Sequence, residues 1–411
     1  MAKFLYIQHA ASLGGSCMSL LYTMQGMREL GNTCIIALAR PSVELENFYG
    51  NAGFEVICWP GLALWDHSTV APMTLWSPFT WRMLGRILFD LGRTAHSTLE
   101  LVRFVKPDLV HLNSMPFVLS ARALIKAKIP FVWHVREPPP DQGLRTQFIR
   151  RIMLRAPQMI FISEFDHQEW VGGKKGVVVS NFVDLNRFHP GVDGQALRQK
   201  FGIHPDTKVI LYLGGVSEIK GFYVLLSCLH LLKQRGIKVV CLAPGTIIGA
   251  AESTLGRVAE VLLPLVGLET PKQKARKRIS DLALDEILLC LPFKTDIIAY
   301  FSASDVAVFP STKPHFARPV IESIAMHKPA IGSDIGGVQE LLAIHPLGRI
   351  IPPSDSNALA DAIQEVISTT PQSPGVENEF IKVKARFDRP HGVRLIYDVY
   401  STILNKKNHA T

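Results

Sequence analysis

The sequence predicts an α/β protein with two doubly wound parallel sheets, one in each half of the chain. Short apolar runs alternate with segments of helical period such as "SLLYTMQGMREL". Because these runs are apolar throughout, they suit parallel strands that helices cover on both faces. A length of 411 residues exceeds what one hydrophobic core usually contains, so we expect two domains.

Strands are predicted in two series. The first contains seven runs: "KFLYIQH", "TCIIALA", "FEVICW", "DLVHLN", "IPFVWHV", "QMIFIS" and "GVVVSN". The second contains six: "KVILYLGG", "IKVVCLA", "EILLCLPF", "DVAVFPS", "PAIGSD" and "RIIPP". The stretch between them, "FVDLNRFHPGVDGQALRQKFGIHPDT", is rich in prolines and glycines and is typical of a connector.

These series define the predicted domains. We expect a first domain over 1–185, a linker over 186–206, a second domain over 207–385, and a C-terminal helix over 386–411 that can cross back to the first domain. Residues 245–284 are long for a crossover and therefore predict an additional helical insertion.

The chain carries a formal net charge of +9, which favours an anionic partner: nucleic acid, anionic lipid or a phosphorylated small molecule. The densest basic cluster consists of Lys272, Lys274, Arg276, Lys277 and Arg278. It is interpreted either as a solvated helix face or as a contact for lipid headgroups. No motif of a nucleic-acid-binding protein accompanies it, so nucleic acid is not an expected partner.

Targeting signals and metal-ligand spacings are not evident. The segment "MAKFLYIQHAASLGG" lacks the features of a signal peptide, and no apolar run reaches the about 20 residues that cross a bilayer. The six cysteines stand singly and are interpreted as reduced core thiols. These patterns predict a cytoplasmic protein, at most lying against the inner face of the membrane, with neither metal nor cofactor.

The first predicted strand runs into a helix through Gly14 and Gly15. Glycines at such a turn let the backbone approach a ligand closely, and the N-terminus of a helix attracts anions. The turn can therefore bind a phosphate or an acceptor. The alternative is an ordinary tight turn, since the complete GxGxxG pattern is absent.

Two similar turns occur in the second half. The segment "LYLGGVSEIKGFYVLL" places Gly214 and Gly215 after a strand and Lys220 at the start of a helix. A lysine there suits a diphosphate as a point charge, although it can equally be a solvated surface residue. A further turn at Gly336 and Gly337 follows another strand. Three glycine-bearing turns after strands together favour a nucleotide-binding site.

The segment "KPHFARPVIESIAMHK" predicts a loop and then a helix whose first turn accommodates Pro319. The amides of Val320 and Ile321 are expected to be free for an anion, and Glu322 can accept hydrogen bonds from two ribose hydroxyls. The alternative is a surface ion pair between Arg318 and Glu322, worth only about 0.5 kcal/mol.

These motifs resemble retaining GT-B glycosyltransferases of family four, which transfer sugars from nucleotide diphosphate donors. The resemblance covers nearly the whole chain and is carried by "LGGS", "KPDLVHLNS", "FVWHVRE", "VVVSNFVDLNRFHP", "LYLGGVSEIKG", "YFSASDVAVFPS" and "RPVIESIAMHKPAIGSDIGGVQEL". It implies the GT-B fold, in which two Rossmann-like domains face each other across a cleft. It also implies front-face attack, with the departing phosphate taking the acceptor proton, so no protein nucleophile is required.

The resemblance also implies residue roles and shows two departures. Glu322 matches the second glutamate of a Glu-x7-Glu motif and is expected to hold the donor ribose. Pro314 stands where the first glutamate usually contacts the transferred sugar. Gly215 stands where many relatives have an arginine for the diphosphate, whereas Lys220 matches the retained basic partner.

Two residues can compensate for these departures. Arg318 can supply a permanent positive charge to the diphosphate, and His315 can hydrogen-bond a sugar hydroxyl. The segment "HFARP" is therefore interpreted as a variant donor site. The alternative is a decayed site, against which the presence of Lys220 and Glu322 argues.

On the acceptor side, "FVWHVREPPPDQG" places His134, Arg136 and Glu137 at the end of a strand. His134 is predicted to hold the reacting sugar, while Gly14 and Gly15 form the floor of the cleft. The alternative is a satisfied core histidine beside a local Arg136–Glu137 contact. The aromatic and basic residues of 71–96 are interpreted either as core packing or as a membrane-surface contact.

The sequence thus predicts a glycosyltransferase with His134, Lys220 and Glu322 as catalytic residues. It would transfer a sugar from a UDP- or GDP-linked donor to a glycan or lipid-linked acceptor in cell-surface polysaccharide synthesis. Two other interpretations remain open: a nucleotide-sugar 2-epimerase of the same fold, and a non-catalytic subunit that binds nucleotide or glycan. Turnover without an acceptor favours the first, and activity that is indifferent to Glu322 favours the second.

Overall fold

The computed structural model of the protein describes residues 1–64, 78–246, 269–369 and 375–408. The chain forms two compact units. The first comprises Met1–Phe182 together with Phe387–Thr411, and the second comprises Val183–Arg386.

The described residues of the first unit form a seven-stranded sheet in the order β3-β2-β1-β4-β5-β6-β7, in which every pairing is parallel. Its strands are β1 (Lys3–Gln8), β2 (Thr33–Leu38), β3 (Glu55–Cys58), β4 (Leu109–Asn113), β5 (Phe131–Val135), β6 (Gln158–Phe161) and β7 (Val177–Val178). Its helices are α1 (Gly15–Glu29), α2 (Val43–Asn51), α3 (Pro78–Val105), α4 (Val118–Lys126), α5 (Leu144–Met153), α6 (Glu164–Val171) and the last helix of the chain, Arg389–Asn408.

Both faces of this sheet are buried. On β1, Leu5 and Ile7 pack into one apolar cluster and Phe4 and Tyr6 into another, as expected from the alternation of side chains along a strand. This arrangement explains why the predicted strands are apolar throughout, because neither set of alternating residues faces water.

The last helix of the chain packs on α1. A Cβ atom added to Gly26 would lie 2.3 Å from Val393 Cγ2, so only a glycine lets the two helices approach this closely. Gly392 makes a similar approach to the ring of Phe182, and Arg389 forms an ion pair with Glu29. The C-terminal segment is thereby part of the first unit.

The described residues of the second unit form a six-stranded parallel sheet in the order β10-β9-β8-β11-β12-β13. Its strands are β8 (Lys208–Tyr212), β9 (Val239–Pro244), β10 (Leu288–Leu291), β11 (Val306–Phe309), β12 (Ala330–Ser333) and β13 (Gly348–Ile351). Its helices are α7 (Gln195–Lys200), α8 (Phe222–Gln234), α9 (Pro271–Asp281), α10 (Ile298–Ala303), α11 (Arg318–Ala325), α12 (Gly336–Ala343), α13 (Ser356–Ser368) and α14 (Val376–Lys384); the last helix of the chain is α15.

Residues 186–206, predicted as a linker, belong to the second unit and contact the rest of it. Arg198 forms an ion pair of 2.6 Å with Asp305 and donates a hydrogen bond to the Ala303 carbonyl. A Cβ atom on Gly194 would lie 2.4 Å from the Ala303 nitrogen. Of the insertion predicted at 245–284, the described part contains α9, and 247–268 lie outside the described residues.

The predicted α/β fold class is confirmed, since all thirteen predicted strands are present and the pairings within each sheet are parallel. Among the described residues, no helix combines the length and the apolar character that crossing a bilayer requires. The six cysteines are unpaired, but Cys58 is exposed, so the prediction of core thiols is wrong for this residue.

Candidate functional site

Three loops of the second unit meet at the carboxyl edge of its sheet. They follow β8, β11 and β12, which are neighbouring strands. The amide of Thr312 donates to the Ile219 carbonyl at 2.8 Å, which joins the first two loops. Gly221 brings them closer still: its φ is +78°, and a Cβ atom there would lie 1.7 Å from the Pro310 carbonyl oxygen. Only a glycine satisfies both conditions.

The third loop lies against the second. A Cβ atom on Gly337 would lie 3.1 Å from Phe316 Cδ2 and 3.5 Å from the His315 carbonyl oxygen. Gly336, with φ of +51°, makes the turn that begins α12. The structure thus brings the turn at Gly336 and Gly337 to the segment that contains His315.

Tyr212, at the end of β8, fixes the loop that carries Lys220. Its hydroxyl lies 3.1 Å from the Gly215 carbonyl oxygen and 3.3 Å from that of Lys220. A Cβ atom on Gly214 would overlap this hydroxyl, which explains the glycine at that position. Sequence reasoning missed Tyr212, although a polar aromatic residue ending a buried strand is a detectable signal.

The backbone at Gly215, the position for which the family resemblance implies an arginine, favours glycine. Its φ is +65°, a backbone conformation that side chains disfavour. A Cβ atom would also lie 3.2 Å from the Gly245 carbonyl oxygen. The local backbone is therefore suited to glycine and not to a longer residue.

The electrostatics of this loop cluster are set by Lys220 and His315. Loss of water around the ammonium lowers the pKa of Lys220, even though the residue as a whole is exposed. Burial, and then the charge of Lys220, lower the pKa of His315 to about 4, while the Lys313 carbonyl partly opposes the shift. His315 is therefore neutral at pH 7 and close enough to Lys220 to sense its charge. The loop cluster around Pro314 therefore contains a neutral imidazole, that of His315, and a cation, that of Lys220.

Arg318 and Glu322 form a buried ion pair. Arg318 Nε lies 3.2 Å from Glu322 Oε1, and the side chains are only 10% and 5% exposed. Burial raises the pKa of Glu322, and the charge of Arg318 partly offsets the increase. The pair considered from the sequence exists, but it is not on the surface. A ribose that binds Glu322 must share the carboxylate with this guanidinium or displace it.

The prediction of a free amide at Val320 is wrong. This amide donates to the Ala317 carbonyl at 2.9 Å, because the chain forms a tight turn where α11 begins. The side chains of Val320 and Ile321 are both fully buried in the apolar core. Pro319 does occupy the first turn of the helix, as predicted.

In the first unit, α1 begins at Gly15 after the turn that follows β1. A Cβ atom on Gly14 or Gly15 would meet no atom within 4 Å, and neither residue has a positive φ. Packing within the protein therefore does not require these two glycines, and their predicted role in approaching a ligand stays a prediction.

His134 lies at the carboxyl end of β5 and is 3% exposed. Its Nδ1 lies 3.4 Å from Arg136 Nη2 and accepts, since arginine only donates, so the proton of the neutral ring is on Nε2. Burial first, and then the charges of Arg136 and His111, lower its pKa well below the usual value. Within the described residues, Nε2 has no hydrogen-bond partner. His134 is thus a buried neutral histidine whose Nε2–H lacks a partner within the described residues, so it is not a fully satisfied core histidine.

Arg136 and Glu137 both form hydrogen bonds with side chains or amides from other parts of the first unit. Arg136 donates to Asn113 Oδ1 at 2.6 Å and to Asn181 Oδ1 at 2.8 Å. The Glu137 carboxylate accepts from the Ser114 hydroxyl and the Met115 amide. The end of the sheet is therefore a layer of buried polar groups that extends beyond Arg136 and Glu137 themselves.

A second histidine extends this layer and was missed from the sequence. His111 Nδ1 lies 2.6 Å from the Tyr400 hydroxyl of α15, and its ring lies 5.2 Å from that of His134. The motif "DLVHLN" shows the histidine in a strand, but its partner is 289 residues away in sequence. Only the folded chain brings them together.

The basic cluster singled out in the sequence lies on α9. Lys277 forms an ion pair of 3.6 Å with Glu269, and the Lys274 ammonium lies 5.0 Å from the centre of the Tyr223 ring. Together with Arg278, these lysines line a cavity of about 590 Å³. Across the described residues, no group of three or more His, Cys, Asp or Glu side chains could hold a metal ion.

Two family models of glycosyltransferases match this chain. Residues 193–382 match the model described as "Glycosyl transferases group 1", and residues 13–187 match "Glycosyltransferase Family 4". The protein is a glycosyltransferase of the group 1/family 4 type. It is therefore an enzyme of the glycosyltransferase class.

Relatives of known name are also glycosyltransferases. The Bacillus subtilis glycosyltransferase TuaC, named for teichuronic acid biosynthesis, is 25% identical over 73% of this chain and 72% of its own length. A D-inositol 3-phosphate glycosyltransferase of Geodermatophilus obscurus is 26% identical over 62% of this chain, which spans only 55% of that relative.

Solved structures show the same GT-B fold. A glycosyltransferase from Rickettsia africae superposes with a TM-score of 0.73 at 20% identity, over 98% of both chains. HepE from Anabaena, crystallised with UDP and glucose, superposes with a TM-score of 0.74 at 19% identity, over 98% of this chain and all of HepE. The predicted fold is thus confirmed.

Proposed function

We propose that this glycosyltransferase transfers a sugar from a nucleoside diphosphate donor, UDP- or GDP-linked, with retention at the anomeric carbon. The acceptor would be a glycan or a lipid-linked sugar in the synthesis of a cell-surface polysaccharide. The observation that carries the donor assignment is the convergence of Lys220, His315 and the turn at Gly336 and Gly337 on one edge of the second sheet.

In this proposal the loops of the second unit bind the donor. Lys220 neutralises the diphosphate, assisted by Arg318 and by the dipole at the start of α11. Glu322 binds the ribose once Arg318 turns from its carboxylate to the phosphate. The structures of HepE with UDP and with UDP-glucose support a nucleotide-sugar donor for this fold.

His315 takes over the contact to the transferred sugar. A glutamate at position 314 would accept hydrogen bonds from sugar hydroxyls, and it would repel the diphosphate. A neutral imidazole can accept or donate one hydrogen bond without that repulsion. We therefore expect the donor sugar to be held by fewer hydrogen bonds than in relatives that have the glutamate.

The first unit binds the reacting sugar and the acceptor. His134 is neutral, and its buried Nε2–H has no partner within the described residues, so in this proposal it donates a hydrogen bond to the ligand and does not act as a base. The acceptor hydroxyl attacks the anomeric carbon as the bond to the diphosphate breaks, and its proton passes to the departing phosphate oxygen. No protein nucleophile is needed, and cationic side chains supply the neutralisation that a metal would otherwise provide. The reaction would take place on the cytoplasmic side of the membrane.

A thermal-shift series tests the donor site. Wild-type protein is heated with UDP, GDP and ADP and with their sugar conjugates. A ligand at about 100 times its dissociation constant adds roughly 2.7 kcal/mol to the free energy of unfolding. Lys220→Ala should weaken binding of the preferred nucleotide at least about tenfold, as expected for the loss of a charged contact.

The matched control is Lys313→Ala, which removes an exposed cation from the neighbouring loop. Its nucleotide affinity should fall less than that of Lys220→Ala. A donor site in the second unit is excluded if no nucleotide stabilises the wild type. Product analysis with and without an acceptor then distinguishes sugar transfer from epimerisation of the donor.

A further inference from the structure

Helix α5 of the first unit exposes large apolar side chains. Leu144 is 80% exposed, Phe148 40% and Leu154, at the end of the helix, 49%. At 100° per residue these positions fall on one side of the helix. The opposite side is already buried, since Ile149 and Met153 pack into the apolar core. The exposed surfaces of Leu144 and Leu154 therefore lie away from the side of α5 that packs on the sheet.

Arginines occupy the same side. Arg151 and Arg155 are exposed and lie between the apolar positions around the helix. We name Leu144, Phe148, Arg151, Leu154 and Arg155 together the arginine–leucine stripe. No acidic residue occurs in the sequence between Asp141 and Glu164. A mixture of long apolar side chains and cations, without acids, is typical of helices that lie in a membrane interface.

Further cations border the stripe near Leu154. Lys175 Nζ donates to the Leu154 carbonyl at 2.9 Å, which places this lysine at the end of α5. Burial and then the nearby charge of Lys406 lower the pKa of Lys175, so a second lysine stands close by. The positive region thus extends beyond α5 to the segment before β7 and to α15.

Two acids close to α5, Asp141 and Glu169, accept hydrogen bonds within the protein. Asp141 accepts hydrogen bonds from the Gly143 amide and the Thr146 hydroxyl, both at 2.9 Å, and so fixes the start of α5. Glu169 of α6 accepts from Gln142 at 3.3 Å. Asp141 lies just before the first turn of α5, whereas the main-chain carbonyl of Glu169 accepts from Arg150 farther along the helix.

We propose that the arginine–leucine stripe docks the first unit on an anionic lipid bilayer. Leu144, Phe148 and Leu154 enter the boundary between headgroups and acyl chains, and the arginines pair with lipid phosphates. A second copy of the chain is a poorer occupant, because a two-fold contact through this stripe brings the same arginines together. Charge complementarity therefore selects the lipid surface.

Docking through α5 would bring the edge of the sheet that carries His134 close to the bilayer. The helix follows β5, so its first turn lies toward the edge of the sheet that carries His134. An acceptor attached to a lipid would be held near that edge while its sugar stays outside the bilayer. The membrane contact itself rests on the stripe and not on the proposed donor site.

Vesicle co-sedimentation tests the proposal. The full-length protein is spun with phosphatidylcholine vesicles and with vesicles that also contain phosphatidylglycerol. Wild type should sediment with the anionic vesicles only, and added salt should release it. Leu144→Ser with Leu154→Ser should lower the partition coefficient at least about tenfold. Arg151→Gln and Arg155→Gln should each lower it about fivefold.

Two controls come from the same unit. Val43→Ser removes an apolar residue that is 73% exposed on α2, and Lys106→Gln with Lys126→Gln removes two exposed cations; all should bind vesicles like wild type. Thermal shifts with nucleotide show whether each variant is folded, independently of the lipid result. Equal vesicle binding by the stripe variants and wild type would overturn the proposal. The proposal would also be overturned if wild type did not bind vesicles and the stripe variants changed from dimer to monomer.

Discussion

In the first unit, the polar groups at the carboxyl end of the sheet are buried side chains that hydrogen-bond to one another. In the second unit, the corresponding groups stand on loops whose backbones touch. Arg136 illustrates the first arrangement, with both asparagine partners buried. Gly221 illustrates the second, because its Cα lies directly against Pro310. One region is rigid through side-chain bonding and the other through close backbone approach, so different substitutions should damage them.

The largest effect is expected from Gly221→Ala. The added methyl would lie 1.7 Å from the Pro310 carbonyl oxygen at a φ of +78°, so the two loops must separate. We expect a loss of about 3 kcal/mol or more in the free energy of unfolding, together with loss of nucleotide binding. Urea denaturation and thermal shift measure both quantities.

Gly14→Ala is the matched control in the first unit. Its methyl group meets no atom within 4 Å, so stability should change by less than about 0.5 kcal/mol. A drop in transfer activity at unchanged stability would show that a ligand approaches this turn. If Gly221→Ala were as stable as wild type, the close contact between the two loop backbones would not contribute to stability as we infer.

Arg136→Met should produce the next largest effect. It leaves the side-chain oxygens of Asn113 and Asn181 without a buried donor, which costs about 3 kcal/mol. It also removes a charge that lowers the pKa of His111 and His134, so both pKa values should rise. Urea denaturation and NMR titration of the histidine C–H signals test the two parts. Arg103→Met, at an exposed position, should leave stability and both titrations unchanged.

The smallest effect is expected in the pH dependence of stability that His315 causes in the second unit. The pKa of His315 falls from 6.5 when unfolded to about 4 when folded. The unfolded chain therefore binds a proton first as the pH falls, and stability decreases between these two values. The pKa difference sets an upper bound of about 3 kcal/mol for this histidine.

His315→Gln should remove part of that pH dependence. Between pH 6.5 and pH 4, the free energy of unfolding of this variant should fall less than that of wild type. Urea denaturation at several pH values measures the difference. His204→Gln is a suitable control, because this histidine of the same unit is exposed. Identical pH profiles for His315→Gln and wild type would show that His315 titrates normally.

The sequence by itself determined the fold class, the thirteen strands and the positions of the three glycine turns. These features follow from local patterns: an apolar run marks a strand buried on both faces, and a glycine pair after it marks a turn. It also indicated that Lys220 and His315 belong to one site, because both follow strands of the same sheet.

Only the tertiary structure decided what these residues contact. It buried the Arg318–Glu322 pair, occupied the Val320 amide, and joined His111 to Tyr400 across 289 residues. It also left Leu144 and Leu154 exposed, although apolar residues at helical spacing ordinarily predict a core face. Burial and long-range pairing depend on which elements pack together, and local spacing carries no record of that.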